Sequence, residues 1–129
     1  MALETIELIK KNRIGIIRLN RPKLLNAVNE QLVWDLQEAT HNVKNDNDIK
    51  VVILSGSGRG FSAGADLSER KATWKGSEDA LIRGYKPFFE NIINMPQPVI
   101  GSIAGPAAGI GAAIAMSCDL RVMSEDSYI

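Results

Sequence analysis

Apolar and polar positions follow two different periods along this chain. From Thr5 to Lys10, Ile6 and Leu8 share one face and Glu7 and Ile9 the other, the period-two pattern of a half-buried strand. Asn12-Arg13 is a short polar joint to a second β-rich run, Ile14-Gly15-Ile16-Ile17-Arg18-Leu19, so the two read as a β-hairpin. Asn20-Arg21-Pro22 stops the second run, because proline fixes its own φ and pushes the preceding residue away from helix. The period then changes. Asn29 is placed to cap a helix with Glu30 in its first turn, and Leu32, Leu36, Ala39 and Val43 recur at helical spacing for about four turns. Asn45-Asp46-Asn47-Asp48 ends it.

Val51-Val52-Ile53-Leu54 is continuously apolar, as in a strand buried on both faces, and runs into a small-residue loop from Gly56 to Asp66. Leu67 to Gly76 is polar apart from Trp74 and reads as a mobile segment or short helix. Ser77 is placed to cap a helix carrying Leu81, Tyr85, Phe88 and Ile92, with a kink or break at Pro87. Met95-Pro96-Gln97-Pro98 is a rigid joint to a strand at Val99 to Ile103, a helix at Ile110 to Met116 and a strand at Leu120 to Met123. Strands alternate with helices, so the class is α/β. The chain ends at Ile129, two residues into what reads as a further strand, and residues 1–129 are expected to be the N-terminal part of a single domain.

Composition narrows the function classes. Apolar content of 45% and charged content of 23% are those of a globular protein. Fifteen basic residues balance 15 acidic ones, so no basic field is available to recruit nucleic acid or anionic lipid. The single cysteine, Cys118, excludes an internal disulfide and points to a reducing compartment. The N-terminus MALETIELIKK has neither a secretory apolar core nor the acid-poor, basic character of a transit peptide, so the cytoplasm is the expected location.

Several chemistries compete for the glycine-rich stretches. Val99 to Cys118 is uncharged over 20 residues, but Pro106, its glycines and two serines argue against a membrane span. Gly58 to Ala63 fits G-x-G-x-x-A, yet no amphipathic helix follows directly, as a dinucleotide-binding turn requires. Gly60-Phe61-Ser62-Ala63-Gly64 fits the nucleophile elbow G-x-S-x-G, which would make Ser62 a hydrolase nucleophile; the single histidine, His41, lies upstream on the polar side of a helix. No metal site is indicated by one cysteine, one histidine and the Asp46/Asp48 turn. There remain two small-residue loops, each following a buried strand. Small side chains leave backbone N–H groups uncovered, and two such loops converging could clamp an oxygen that becomes negative during reaction. Close packing alone is the other explanation for the glycines.

These residues resemble the crotonase, or enoyl-CoA hydratase/isomerase, superfamily. Leu19-Asn20-Arg21-Pro22-Lys23-Leu24-Leu25-Asn26-Ala27 is similar to its LNRP…LNA signature. Gly60 to Leu67 is similar to its FxAGADL loop, and Gln97-Pro98-Val99-Ile100 through Gly109-Ile110-Gly111 to Cys118-Asp119 to its KPVIAAVxGxAxGGGxxLAxxCD segment. The resemblance implies a spiral of ββα units, incomplete C-terminally, assembled as homo-trimers or hexamers. It implies an acyl-CoA thioester substrate, of which coenzyme A is a part, with no separate cofactor. The matching oxyanion-binding N–H groups are those of Ala65 and Ile110, the latter with isoleucine where glycine is usual. Lys23, Leu25, Ala63, Asp66, Leu67 and Gly109 match substrate-binding positions, the first five along the CoA moiety. The segment after Leu67 matches the variable, often mobile region over the acyl pocket, where Trp74 could pack.

One departure matters. Hydratases of the family carry a glutamate where this chain has Ala113, and no Asp or Glu lies between Val99 and Cys118 to replace it. Hydration uses two carboxylates, so isomerase-type chemistry with a later acid, beyond Ile129, is the expectation. The residues 1–129 alone are expected to lack turnover. A non-catalytic CoA-ester-binding fragment is the alternative, and a serine hydrolase through Ser62 a remoter one.

Overall fold

A computed structural model describes residues 2–129. Five strands form one sheet in the order β1-β2-β3-β4-β5. β1 (Ile6–Lys11) pairs antiparallel with β2 (Ile14–Leu19), and β2 is followed in parallel by β3 (Val51–Gly56), β4 (Val99–Ile103) and β5 (Leu120–Met123). The expected hairpin forms through Asn12 and Arg13, both left-handed at φ 50 and φ 68, as a two-residue turn with native strand twist requires. β1 is the sheet edge, and Leu8 is more exposed than a half-buried strand predicts.

Each parallel step needs a crossover, supplied by α1 (Glu30–Lys44), by the helical stretch Ser77 to Asn94 and by α4 (Ile110–Ser117). Asn29 caps α1 as expected, its side chain accepting from the Leu32 N–H at 2.9 Å. The apolar stripe Leu32, Val33, Leu36, Ala39 and Val43 packs into one core with Ile17, Leu19, Val52, Leu54, Phe88, Ile92, Ile103 and Ile114. The strand β3 is buried on one face only. Val52 and Leu54 are covered, whereas Val51 and Ile53 are half-exposed, Val51 in register with Ile14 on β2 and Ile53 with Ile16 on β2 and Ile100 on β4. All four residues of β5 are exposed.

The stretch after Gly76 departs from the single helix that the spacing suggests. It forms α2 (Ser77–Asp79), a π-helical turn (Ala80–Tyr85) and α3 (Lys86–Asn94). Gly76, not Ser77, occupies the cap position, and the serine side chain makes no cap bond. Pro87 has no N–H to return to the Arg83 carbonyl, so the ladder is interrupted there. Gln37 on α1 fills the gap, its side-chain amide donating to the carbonyls of Arg83 at 2.7 Å and Gly84 at 2.9 Å. A 3-10 turn, Pro22–Leu24, follows β2 where the sequence pattern gave only a stop. Tyr128, expected to begin a further strand, makes an isolated parallel bridge with Pro106.

The uncharged run Val99 to Cys118 is β4, a loop and α4, and no helix among the described residues is long and apolar enough to cross a membrane. Cys118 is buried, and burial pushes its thiol up to about 11, so it stays protonated.

The buried carboxylate of Asp35 ties the start of β1 to α1. It accepts from the N–H groups of Glu4 at 3.0 Å and Thr5 at 2.8 Å and from the Thr5 hydroxyl at 2.7 Å. Asp35→Ala leaves these donors without their charged acceptor and is expected to lower stability by about 2–3 kcal/mol, measured by urea unfolding.

Candidate functional site

The two small-residue loops meet. After β3 the chain turns around Asn26, a buried residue with φ 54. Asn26 accepts from the Arg21 N–H at 2.8 Å and donates to the carbonyls of Ser57 at 2.9 Å and Gly60 at 3.0 Å, which shapes the loop from inside. A short polar side chain that tolerates the left-handed region can do both tasks at once. Further along, the Val28 N–H donates to the Gly64 carbonyl at 2.7 Å and the Asp66 N–H to the Val28 carbonyl at 2.9 Å. These two bonds bracket Ala65 and leave its own N–H directed away from Val28.

The second loop lies against the first. Ser62 bridges Ala107, the Phe61 N–H donates to the Pro106 carbonyl at 3.0 Å, and the Ala108 N–H donates to the Ser62 carbonyl at 3.0 Å. Gly64 and Gly109 touch, both with positive φ (102 and 57). A Cβ on Gly64 would stand 2.9 Å from the Ala108 carbonyl oxygen, and one on Gly109 would stand 3.7 Å from the Gly64 Cα. Glycine is required at Gly64 for both conformation and approach, and at Gly109 for conformation alone.

Ala65 and Ile110 are the next residues of each loop. Ile110 is the first residue of α4, whose N-cap, Gly109, has no side chain to cap with. Helix geometry leaves the first N–H groups without internal acceptors. Among the described residues, neither the Ala65 nor the Ile110 N–H donates to any backbone or side-chain acceptor. The site thus presents two free donors beside one helix N-terminus, a surface suited to partial negative charge.

The other predicted positions differ in exposure and in hydrogen bonding. Ala63 is exposed, and its N–H donates to the Leu25 carbonyl at 2.8 Å, which joins those two positions. Lys23 is exposed on the 3-10 turn leading into Leu25. Leu67 projects into solvent with 89% of its surface exposed. The Asp66 carboxylate is engaged within the chain: it accepts from the Ser68 hydroxyl at 2.6 Å and N–H at 3.0 Å and pairs with Arg21 at 3.1 Å. The Ser68 hydroxyl above all, then the Ser68 N–H and Arg21, hold it below the usual carboxylate range against the opposing effect of burial. Its side chain therefore shapes the loop rather than offering a free charge.

Two alternative chemistries lose their support. Ser62 is fully buried and its hydroxyl donates to the Asn26 carbonyl at 2.8 Å, while His41 is exposed on α1 beside Asn45, so among the described residues no histidine reaches the serine. No helix follows Gly58 to Ala63 before Ser77, which removes the dinucleotide-binding turn. Among the described residues, no group of three or more His, Cys, Asp or Glu is arranged to hold a metal ion.

Leu67 to Gly76 is neither a helix nor a detached segment. Its Glu69 and Thr73 bond to Glu30, a residue that the sequence pattern marked only as a first-turn acid. Burial raises the Glu30 carboxyl, but bonds from the Thr73 N–H and hydroxyl and from Trp34, with the charge of Arg83, outweigh it and leave it below the ordinary glutamate value. The stability this contributes is present above the unfolded-state pKa and is lost as pH falls through the folded value.

The family model for enoyl-CoA hydratase/isomerase matches residues 9–129. The chain belongs to the enoyl-CoA hydratase/isomerase family. It is 36% identical over 130 residues to a short-chain-enoyl-CoA hydratase of Clostridium acetobutylicum, covering 98% of this chain and 49% of that protein. It is 35% identical over 115 residues to the 1,2-epoxyphenylacetyl-CoA isomerase of Escherichia coli, covering 86% and 44%. Among solved structures, an enoyl-CoA hydratase/carnithine racemase from Magnetospirillum magneticum superposes with a TM-score of 0.87 at 32% identity, covering 98% of this chain and 48% of that one. The chain has the α/β fold of crotonase-type enoyl-CoA hydratases over the matched part, and it spans about half the length of the curated relatives.

Proposed function

We propose that this chain binds an acyl-CoA thioester and stabilises the negative charge that develops on the thioester oxygen when its α-carbon loses a proton. The observation that carries this reading is the pair of unengaged N–H groups, Ala65 and Ile110, on abutting loops. Donors already fixed in place lose no energy to reorganisation when charge appears, and each is worth about 3–4 kcal/mol of barrier. Lys23, Leu25, Ala63, Asp66, Leu67 and Gly109 lie along the segments that would contact the substrate. The protein would then work without a separate cofactor. As in the family resemblance, it would act as a trimer or hexamer in the cytoplasm, within acyl-CoA metabolism.

The reaction class we infer is a double-bond shift or rearrangement rather than hydration. Ala113 stands in the first turn of α4, half-buried, with no acidic side chain from Val99 to Cys118. Hydration needs one carboxylate to activate water and a second acid to protonate carbon. The relatives named above include both a hydratase and an isomerase. The missing carboxylate also supports the second reading, a CoA-ester-binding chain without turnover.

Incubation with a 2-enoyl-CoA and, separately, a 3-enoyl-CoA tests these assignments by ultraviolet absorbance of the conjugated thioester. Both readings predict that the 2-enoyl ester binds without hydration. Appearance of the conjugated band from the 3-enoyl ester selects the isomerase; its absence from residues 1–129 alone, which lack the later acid, is expected on both readings. Rapid loss of the band from the 2-enoyl ester would refute the reasoning from Ala113.

A further inference from the structure

The strap from Leu67 to Gly76 closes at both ends on one residue, Glu30. At the near end, the Glu69 carboxylate accepts from the Glu30 N–H at 3.0 and 3.2 Å, satisfying a donor that the start of α1 leaves open. At the far end, the Glu30 carboxylate accepts from the Thr73 N–H at 2.5 Å and its hydroxyl at 2.6 Å, and from the Trp34 indole at 3.1 Å. Trp74 follows directly and lies against Trp34, ring centroids 5.0 Å apart and planes at 42°. The slot exists because residue 84 is glycine: a Cβ there would stand 2.7 Å from the Trp74 ring. Arg83 covers the same ring at 5.5 Å and is held by Asp79 at 2.6 and 2.8 Å.

The strap is continuous with the clamp. Glu30 is two residues beyond Val28, whose two bonds bracket Ala65. Between Ala65 and Glu69 the chain makes a turn on Asp66, with the Ser68 N–H on the Asp66 carboxylate at 3.0 Å and the Glu69 N–H on its carbonyl at 3.3 Å. The main chain carrying the Ala65 N–H is therefore pinned before it by Val28 and after it through Glu69 and Thr73, and both later ties end on Glu30.

We propose that Glu30 is a positioning residue for the Ala65 N–H: it latches the strap that follows the clamp, so that the donor is oriented before a thioester arrives. This rests on the clamp reading above. The ordering of five or more residues is completed during folding and is not charged against ligand binding.

The test uses the whole chain with three probes: acetoacetyl-CoA, whose enolate has its own ultraviolet band; free coenzyme A; and near-ultraviolet circular dichroism, which reports the Trp34–Trp74 pair. These are the chain's two tryptophans, so the signal is read in the long-wavelength indole band, beyond the tyrosine and phenylalanine bands. Glu30→Gln weakens the charge-assisted bonds while keeping the shape. It is expected to diminish the tryptophan signal, reduce the enolised fraction of bound acetoacetyl-CoA by about tenfold, and leave free coenzyme A affinity unchanged. Thr73→Val, on the exposed strap, removes one bond only and should move both signals the same way by less. It keeps the test valid if Glu30→Gln fails to fold. Loss of the tryptophan signal with an unchanged enolate fraction overturns the proposal, as does an unchanged tryptophan signal in the folded Glu30→Gln chain. A wild-type chain with an intact tryptophan signal and no enolate band overturns the clamp reading itself, and this inference with it.

Discussion

Replacing Ala65 with proline is expected to remove enolate stabilisation by about 10²- to 10³-fold while leaving the fold and free coenzyme A affinity close to wild type. The expectation follows from the hydrogen bonds on either side. Val28 pairs with the Gly64 carbonyl and the Asp66 N–H, and neither belongs to residue 65. The Ala65 N–H has no acceptor to lose, so its removal leaves no buried group unsatisfied. Proline restricts the residue before it, but that residue is Gly64, the type best able to comply. Ala65→Ser keeps the N–H and serves as the control. Titration with acetoacetyl-CoA, read at the enolate band, makes the measurement, and an Ala65→Pro chain that enolises normally would show that this donor takes no part.

The second large effect is expected at Gly111, where the first turn of α4 rests on the other loop. A Cβ there would stand 2.4 Å from the Ser62 carbonyl oxygen and 2.7 Å from the Ser62 Cβ. That oxygen already accepts the Ala108 N–H, and the serine hydroxyl is bonded to the Asn26 carbonyl, so nothing on that side is a free chain end able to swing away. Gly111→Ala must therefore push the start of α4 off the Ser62 loop. The cost is about 1–3 kcal/mol of stability, together with loss of the clamp, since Ile110 moves with the helix and Ala65 with the loop. Gly60→Ala provides the contrast: its added methyl would meet Leu25 and Pro106 no closer than 3.6 Å, and it should be tolerated. Urea unfolding and the enolate band together separate the two consequences. A Gly111→Ala chain with wild-type values of both would mean that the close approach of α4 to Ser62 is not needed.

Much of the fold could be read from periodicity, and the reasons for the exceptions are specific. α1 was legible because its stripe, its Asn29 cap and its polar stop all agree. β3 looked buried on both faces from its four apolar residues, yet Val51 and Ile53 are half-exposed; a local pattern cannot tell what covers the second face of a sheet. The break at Pro87 was legible, whereas its form was not, because the π-helical turn depends on Gln37 from another helix accommodating two carbonyls.

At the site, the two glycine loops could be recognised from composition, but their contact could not. It is made by bonds between residues more than 40 positions apart, such as Ala108 to Ser62. Glu30 carried a signal only for the first turn of a helix, and its partners Glu69 and Thr73 stood in a stretch whose polarity suggested mobility. Asp66 is the reverse case. It matched a substrate-binding position, yet its carboxylate is occupied by Arg21 and Ser68 and its N–H by the Val28 carbonyl.

The central claim is that two backbone N–H groups, held on abutting loops before any ligand binds, favour the enolate of an acyl-CoA thioester. It is tested most directly by mixing the wild-type chain with acetoacetyl-CoA at a pH below that at which the free ester enolises, and recording the ultraviolet spectrum. The account predicts an enolate band that saturates with protein concentration and disappears in Ala65→Pro. Binding of acetoacetyl-CoA with the spectrum of the keto form unchanged would contradict it.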